Sequence, residues 1–188
     1  MSHPQRLRTV TLLIWISLMT TSIGCTSPGS GWRSVLHERL PLYGHRNLIA
    51  IVDSAYPAQC RPGIETIATG QSQTAVLREV LAALREAQHV RPRVYLDQEL
   101  DFVAESDGPG ISAYRDEVKT LLKNLPVESL PHEAIIAKLD QTAQTFNVLI
   151  LKTDLKLPYT SVFIQLECGY WTDDAERRLR SSIGSAKP

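Results

Sequence analysis

A small set of side chains carries the groups with which this sequence could move protons. His45 and Asp53 flank the apolar run Asn47-Leu-Ile-Ala-Ile-Val-Asp53, and Ser54-Ala-Tyr56-Pro57 follows at once. His132 stands beside Glu133 at the start of a helical pattern, and Tyr159 and Ser161 precede a late hydrophobic run. Histidine titrates near pH 6.5, so it can serve as base or acid at working pH. A carboxylate that leaves a strand into a loop can face a ligand, and a tyrosine can pack its ring while its hydroxyl donates. Taken one at a time, each has a plainer explanation. His45 reads as a turn histidine, Asp53 as a loop cap, Tyr159 as an edge tyrosine and His132 as a first-turn surface histidine. Spacing adds a constraint. The seven residues between His45 and Asp53 span about 25 Å when extended. The two meet only if the chain before the strand folds back, or if two chains share a site.

Other chemistries have no motif to rest on. The sequence holds no CxxC, HExxH, GxSxG or glycine-rich phosphate cradle, so metal, nucleotide and triad mechanisms draw no support. The 188 residues carry 20 Lys+Arg against 20 Asp+Glu, which excludes the basic footprint of a non-specific nucleic-acid binder. With 43% apolar residues the chain reads as one ordinary globular domain.

The elements that must position these groups alternate in type. Residues 47–53 form a branched apolar run suited to a strand buried on both faces, and Gly63–Thr69 is a looser second strand. Thr74–Gln88 is the clearest helix, with Val76, Leu77, Val80, Leu81, Leu84 and Ala87 on one face. Arg93–Asp97 is a short strand. A helix follows the Asp107-Gly-Pro-Gly110 breaker, its face set by Ile111, Tyr114, Val118, Leu121 and Leu122. Ser129 is placed to cap a third helix with Pro131 and Glu133 in its first turn. Val148–Leu151 and Val162–Leu166 are buried strands, and Thr172 caps a last helix that is acidic at its start and basic near its end. Strands separated by helices predict a single layered α/β domain with a mixed or mostly parallel sheet flanked by helices.

The first 25 residues have another character. Arg6 and Arg8 precede the apolar run Val10–Met19, which is short for a membrane span, and Ile23-Gly24-Cys25 matches the end of a bacterial lipoprotein signal. The expected organisation is a signal peptide over 1–24, a lipid-bearing Cys25 opening a tether over 25–31, and the domain over 32–188. The mature chain of 164 residues, net charge −2, would be exported and anchored to a membrane at the periplasmic or cell-surface side. Cys60 and Cys168 would remain as its thiols.

Gly44-His45, the hydrophobic strand and Asp53-Ser-Ala-Tyr-Pro57 together resemble the opening signature of the D-ribose pyranase and L-fucose mutarotase (RbsD/FucU) family. The later order agrees: a strand and helix, then Phe146–Leu151, a short loop, Tyr159-x-Ser161 and a final strand ending near Gly169. The resemblance covers roughly residues 36–170. It departs from the family at Ser161, where the family has Asn, and at Lys152-Thr153-Asp154, where it has Gly-Glu. His132-Glu133 matches a family His-Glu pair with one extra helical turn before Phe146.

The resemblance implies an RbsD-like fold and cofactor-free acid–base interconversion of monosaccharide anomers or ring forms. His45 would be the leading acid/base, Asp53 its orienter or a sugar-hydroxyl acceptor, Tyr159 a hydroxyl donor and His132 a second acid/base. Tyr56 and Ser161 would contact the sugar. It also implies a homo-oligomeric ring, in the family often a decamer, with sites near subunit boundaries. The alternative is a non-catalytic sugar-binding or structural lipoprotein on the same fold, which Ser161 and the missing Gly-Glu favour.

Overall fold

The structure is a computed structural model and describes residues 31–185. The signal over 1–24 and Cys25 lie outside the described residues, as does all of the expected tether except Gly31, the first residue of a helix.

The described residues form six strands and five α-helices, interspersed along the chain. In order they are α1 (Gly31–Arg39), β1 (Leu48–Val52), β2 (Ile64–Ala68), α2 (Gln73–Glu86), β3 (Val90–Asp97) and α3 (Ile111–Leu122). Then come β4 (Val127–Leu130), α4 (His132–Thr142), β5 (Val148–Lys152), β6 (Val162–Cys168) and α5 (Asp173–Ser185). The strands form one sheet in the order β2-β5-β1-β6-β3-β4. β1 is parallel to β5, β5 to β2 and β3 to β4, while β6 runs antiparallel to both β1 and β3. Five strands thus point one way and β6 alone opposes them, giving the mostly parallel α/β layer that the alternation predicts.

The two-residue period of β1 divides its side chains between two cores. Ile49 and Ile51 join a core built with α1, α2 and α3, where Trp32, Leu77 and Ile111 are fully buried. Leu48, Ala50 and Val52 join the opposite core, closed by Ile135 and Leu139 of α4 around Phe163 of β6. A strand between two such layers needs apolar side chains on both faces, which is why residues 48–52 read as a continuous run.

Gly169, the residue after β6, stands where no side chain fits. A Cβ there would run into the Gln88 carbonyl oxygen and lie 2.8 Å from the Val90 nitrogen, while its own N–H donates to the His89 carbonyl at 2.9 Å. Beyond it, α5 buries none of its residues. Its start is held by Thr172, whose hydroxyl accepts from the Ala175 N–H at 3.1 Å, and by an Arg91–Asp173 ion pair at 2.7 Å.

Ser129 is not a helix cap. It lies within β4, in register with Leu96, and α4 begins after Pro131 instead. The strand is short and at the sheet edge, with Val127, Glu128 and Ser129 exposed, so it lacks the apolar pattern that marks the inner strands. Helix α1 likewise lies outside the expected elements. Cys60 and Cys168 are both free thiols. Among the described residues no helix is long and apolar enough to cross a membrane.

Candidate active site

The parallel strands all deliver their carboxyl ends to one rim of the sheet, and β6, running the other way, starts there. Ligand sites in open α/β sheets form at such a rim. Asp53 follows β1 directly, and its Oδ1 accepts from the Ala55 N–H at 2.8 Å, turning the chain toward Tyr56. Continuing the register Ile51↔Val162 and Leu96↔Val162 by one residue sets Ser161 between Val52 and Asp97. Asp97, Ser161 and the exit of β1 therefore lie side by side across three neighbouring strands.

His132 opens α4 at this rim. Its Nδ1 lies 3.1 Å from Asp97 Oδ1, and its backbone N–H donates to both oxygens of Glu99, at 3.1 and 3.0 Å. The imidazole is about one-third exposed while the Asp97 side chain is fully buried. Tyr159 meets the His132 ring edge-on, with centroids 5.5 Å apart and planes at 84°. Its backbone sits at φ +56°, the left-handed region that a non-glycine residue adopts at a cost on the order of 1 kcal/mol or more.

The loop that holds Tyr159 in this strained state is anchored from beneath. Thr160 is buried, and its carbonyl accepts from both Gln73 Nε2 of α2 and the Tyr114 hydroxyl of α3. Gln73 Nε2 also donates to the Tyr114 oxygen at 2.8 Å, and Thr153 Oγ1 bridges Gln73 Oε1 at 3.2 Å and the Val52 carbonyl at 2.9 Å. One buried network thus links the exits of β1 and β5 to the loop before β6.

The electrostatics are those of a partly desolvated acidic rim. Burial pushes the Asp97 carboxyl above its ordinary pKa, and the adjacent His132 pulls it back only in part; Glu99 and Asp53 add to the rise. Tyr56 is buried beneath the same rim, its hydroxyl pushed up to about 12 by burial and by the negative field of Asp140, Asp97 and Asp53. An open cleft of about 370 Å³ lies alongside, between Glu99, Phe102, Val103 and Asp107 on one wall and Pro158 and Tyr159 on the other. Among the described residues no group of three His, Cys, Asp or Glu side chains is placed to hold a metal ion.

Solved structures similar to this chain include Bacillus subtilis RbsD complexed with D-ribose, at 21% identity and TM-score 0.49, covering 71% of this chain and 92% of that one. FucU from Bifidobacterium longum has 15% identity and TM-score 0.49, covering 71% and 94%. The fucose mutarotase from Streptococcus pneumoniae in complex with L-fucose has 17% identity and TM-score 0.47, covering 71% and 91%. These neighbours are of the family that the sequence motifs resemble. No family model and no curated protein matches the sequence.

Of the residues singled out in the sequence, the structure gathers Asp53, Tyr56, His132, Tyr159 and Ser161 at one rim and leaves His45 at the other. His45 precedes β1, exposed in a separate cleft of about 390 Å³ with Arg46, Lys138, Phe146 and Gln165. Thr142, the last residue of α4, borders that cleft, and the 11 residues of α4 put about 16 Å between its two ends. The separation that the length of the strand imposes is therefore real within one chain. Asp97 and Glu99 are the residues that sequence reasoning passed over. Asp97 had the same signal as Asp53, a carboxylate at the carboxyl end of a strand followed by a turn.

Proposed function

We propose that this chain binds a monosaccharide at the rim occupied by His132 and Tyr159 and interconverts its anomers or ring forms without a cofactor. The observation that carries the reading is the edge-to-face contact of an accessible histidine and a tyrosine, 5.5 Å apart, above two strand-end aspartates. The motif order His45, Asp53, Tyr159, Ser161 supports the substrate class through its resemblance to the sugar mutarotases.

Ring opening needs a base for the anomeric hydroxyl and an acid for the ring oxygen. His132 takes the hydroxyl proton as the bond from the anomeric carbon to the ring oxygen breaks, and the Tyr159 hydroxyl protonates the departing oxygen. Rotation of the open aldehyde followed by the reverse transfers returns both protons and gives the other anomer. Positioned acid–base groups supply roughly 10²–10⁴-fold, enough for a reaction already spontaneous in water. Asp53 accepts from a sugar hydroxyl, and Tyr56 and Ser161 complete the floor. His45 enters this chemistry only from a neighbouring chain, so the reading includes a homo-oligomer whose subunit boundary brings one chain's His45 to the next chain's rim. It also includes export, with the chain tethered through a lipid on Cys25.

Exchange NMR on D-ribose, L-fucose and D-glucose tests it. Wild-type protein should broaden or accelerate anomer exchange for at least one sugar. His132→Ala should lower that acceleration by about 10²-fold, and Tyr159→Phe by less, since only a hydroxyl is lost. Saturation transfer to a sugar without any accelerated exchange would instead establish the binding-protein alternative, which the single hydroxyl of Ser161 favours.

A further inference from the structure

Asp97 is an expensive residue to keep where it is. Its side chain is fully buried, yet only Oδ1 has a partner, His132 Nδ1, while Oδ2 is buried without one. Burying a carboxylate with half its acceptors unmade costs stability, and a residue serving only to pack the end of β3 would carry no such penalty as an apolar side chain. What the arrangement does secure is the state of one imidazole. An ionised carboxylate only accepts, so the ring nitrogen facing it must carry the proton. The Glu99 carboxylate accepts from the His132 backbone N–H at the same time, which fixes the first turn of α4 against the end of β3. Tyr159 closes the third side edge-on. Nε2 of His132 has no protein partner among the described residues, and the ring is about one-third exposed.

We propose that Asp97 is a positioning residue that holds neutral His132 as the Nδ1–H tautomer, leaving the Nε2 lone pair bare toward the rim as the proton acceptor. The proposal rests on the sugar-interconversion reading for what Nε2 accepts, but the tautomer itself does not depend on any sugar. The charged and titratable groups that act on the pair are Glu99 on the turn after β3, Asp53 at the exit of β1, Tyr56 and Tyr114 beneath, and Tyr159 in front. On its other side Asp97 borders a cleft that also holds Asp101, Arg115, Lys119 and Lys123. Among the described residues, the one ring or ammonium nitrogen hydrogen-bonded to the Asp97 carboxylate is that of His132. The sequence separation of 35 residues between the pair means that the contact exists only in the folded sheet.

Long-range proton–nitrogen correlation on histidine-labelled full-length protein, recorded as the pH is raised until the ring-nitrogen shifts no longer move, reads the tautomer directly. The His132 signal is assigned as the one lost in His132→Gln. The expected wild-type result is a protonated Nδ1 and a bare Nε2. Asp97→Asn keeps the shape but offers an amide that can donate to Nδ1. It should shift His132 toward the Nε2–H form and lower anomer exchange about tenfold or more at unchanged fold. A wild-type His132 in the Nε2–H form overturns the proposal without need of any variant. So does an Asp97→Asn protein whose tautomer and exchange rate both match the wild type, or one whose tautomer shifts while its exchange rate does not. If the wild type accelerates exchange of no sugar, the sugar reading falls, and the role of Asp97 is then decided by the tautomer alone.

Discussion

The Tyr114 hydroxyl, at the hidden face of α3, donates to the backbone carbonyl of Thr160, the residue between Tyr159 and Ser161. A tyrosine on the core-facing side of that helix thereby holds the loop that forms one wall of the candidate site. Gln73 of α2 binds the same carbonyl, so two helices on one face of the sheet control a loop at its rim.

Removing that hydroxyl should be felt in both stability and binding. Tyr114→Phe leaves the ring in place and deprives Gln73 of one buried partner, a loss of about 1–2 kcal/mol. Urea unfolding measures it, and saturation transfer from sugars should weaken in parallel. A variant as stable as the wild type would show that the network does not brace the loop.

Gly169 gives a test of close packing. Gly169→Ala forces a methyl group against the backbone of residues 88–90, which cannot yield as a side chain would, and should cost about 1–3 kcal/mol in thermal unfolding. Gly44→Ala is its control, because nothing lies within 4 Å of a Cβ there, and its change should stay within about 0.5 kcal/mol.

Alkaline unfolding should report on Tyr56. Its folded pKa of about 12 lies above the ordinary value of 10.0, so the folded state holds that proton more tightly than the unfolded chain does. Its contribution to stability is complete below pH 10 and is lost as pH rises toward 12, on the order of 2–3 kcal/mol in all. Tyr56→Phe should therefore lose less stability than the wild type between those two pH values in chemical unfolding. Parallel curves would mean that Tyr56 ionises as freely as in the unfolded chain.

The position of His45 leads to a mixing experiment. His45→Ala and His132→Ala proteins should each be impaired in anomer exchange. If His45 serves a neighbouring chain, rings reassembled from equal parts of the two variants regain activity at about a quarter of their sites, those built from one intact half of each. Activity that stays at the level of the separate variants would remove His45 from the reaction.

The anchor is tested by mass. Intact-mass analysis of the membrane fraction should find a chain that starts at an acylated Cys25. A chain that retains Met1, or one cut elsewhere and recovered in soluble form, would refute it.

Legibility in the sequence follows burial. β1 and β5 stand between two cores, so Leu48–Val52 and Val148–Leu151 are unbroken apolar runs; β6 keeps such a run over Val162–Ile164 before Gln165 and Glu167 interrupt it; and α2 shows a clean stripe because one of its faces meets the sheet. β4 is an edge strand with three exposed residues, and nothing in Val127-Glu-Ser-Leu130 distinguishes it from a loop that leads to a helix cap. Asp53 and Tyr159 could be picked out because local motifs flank them. Asp97 could not be paired with His132, since only the parallel β3–β4 register and the turn into α4 bring them together. The reach of His45 was the opposite case, set by simple strand length and independent of any tertiary contact.

The double burial of β1 also sets where this chain is free to change. Each of its five residues is committed to one core or the other, and a new side chain at Ala50 or Ile51 would have to be accommodated by a whole layer. Asp53, Tyr159 and the cleft beside Phe102 lie outside the strands, in the segments that leave β1 and β3 or lead into β6, where a substitution disturbs a turn and leaves both layers intact. The rim can therefore change in sequence while the scaffold stays fixed.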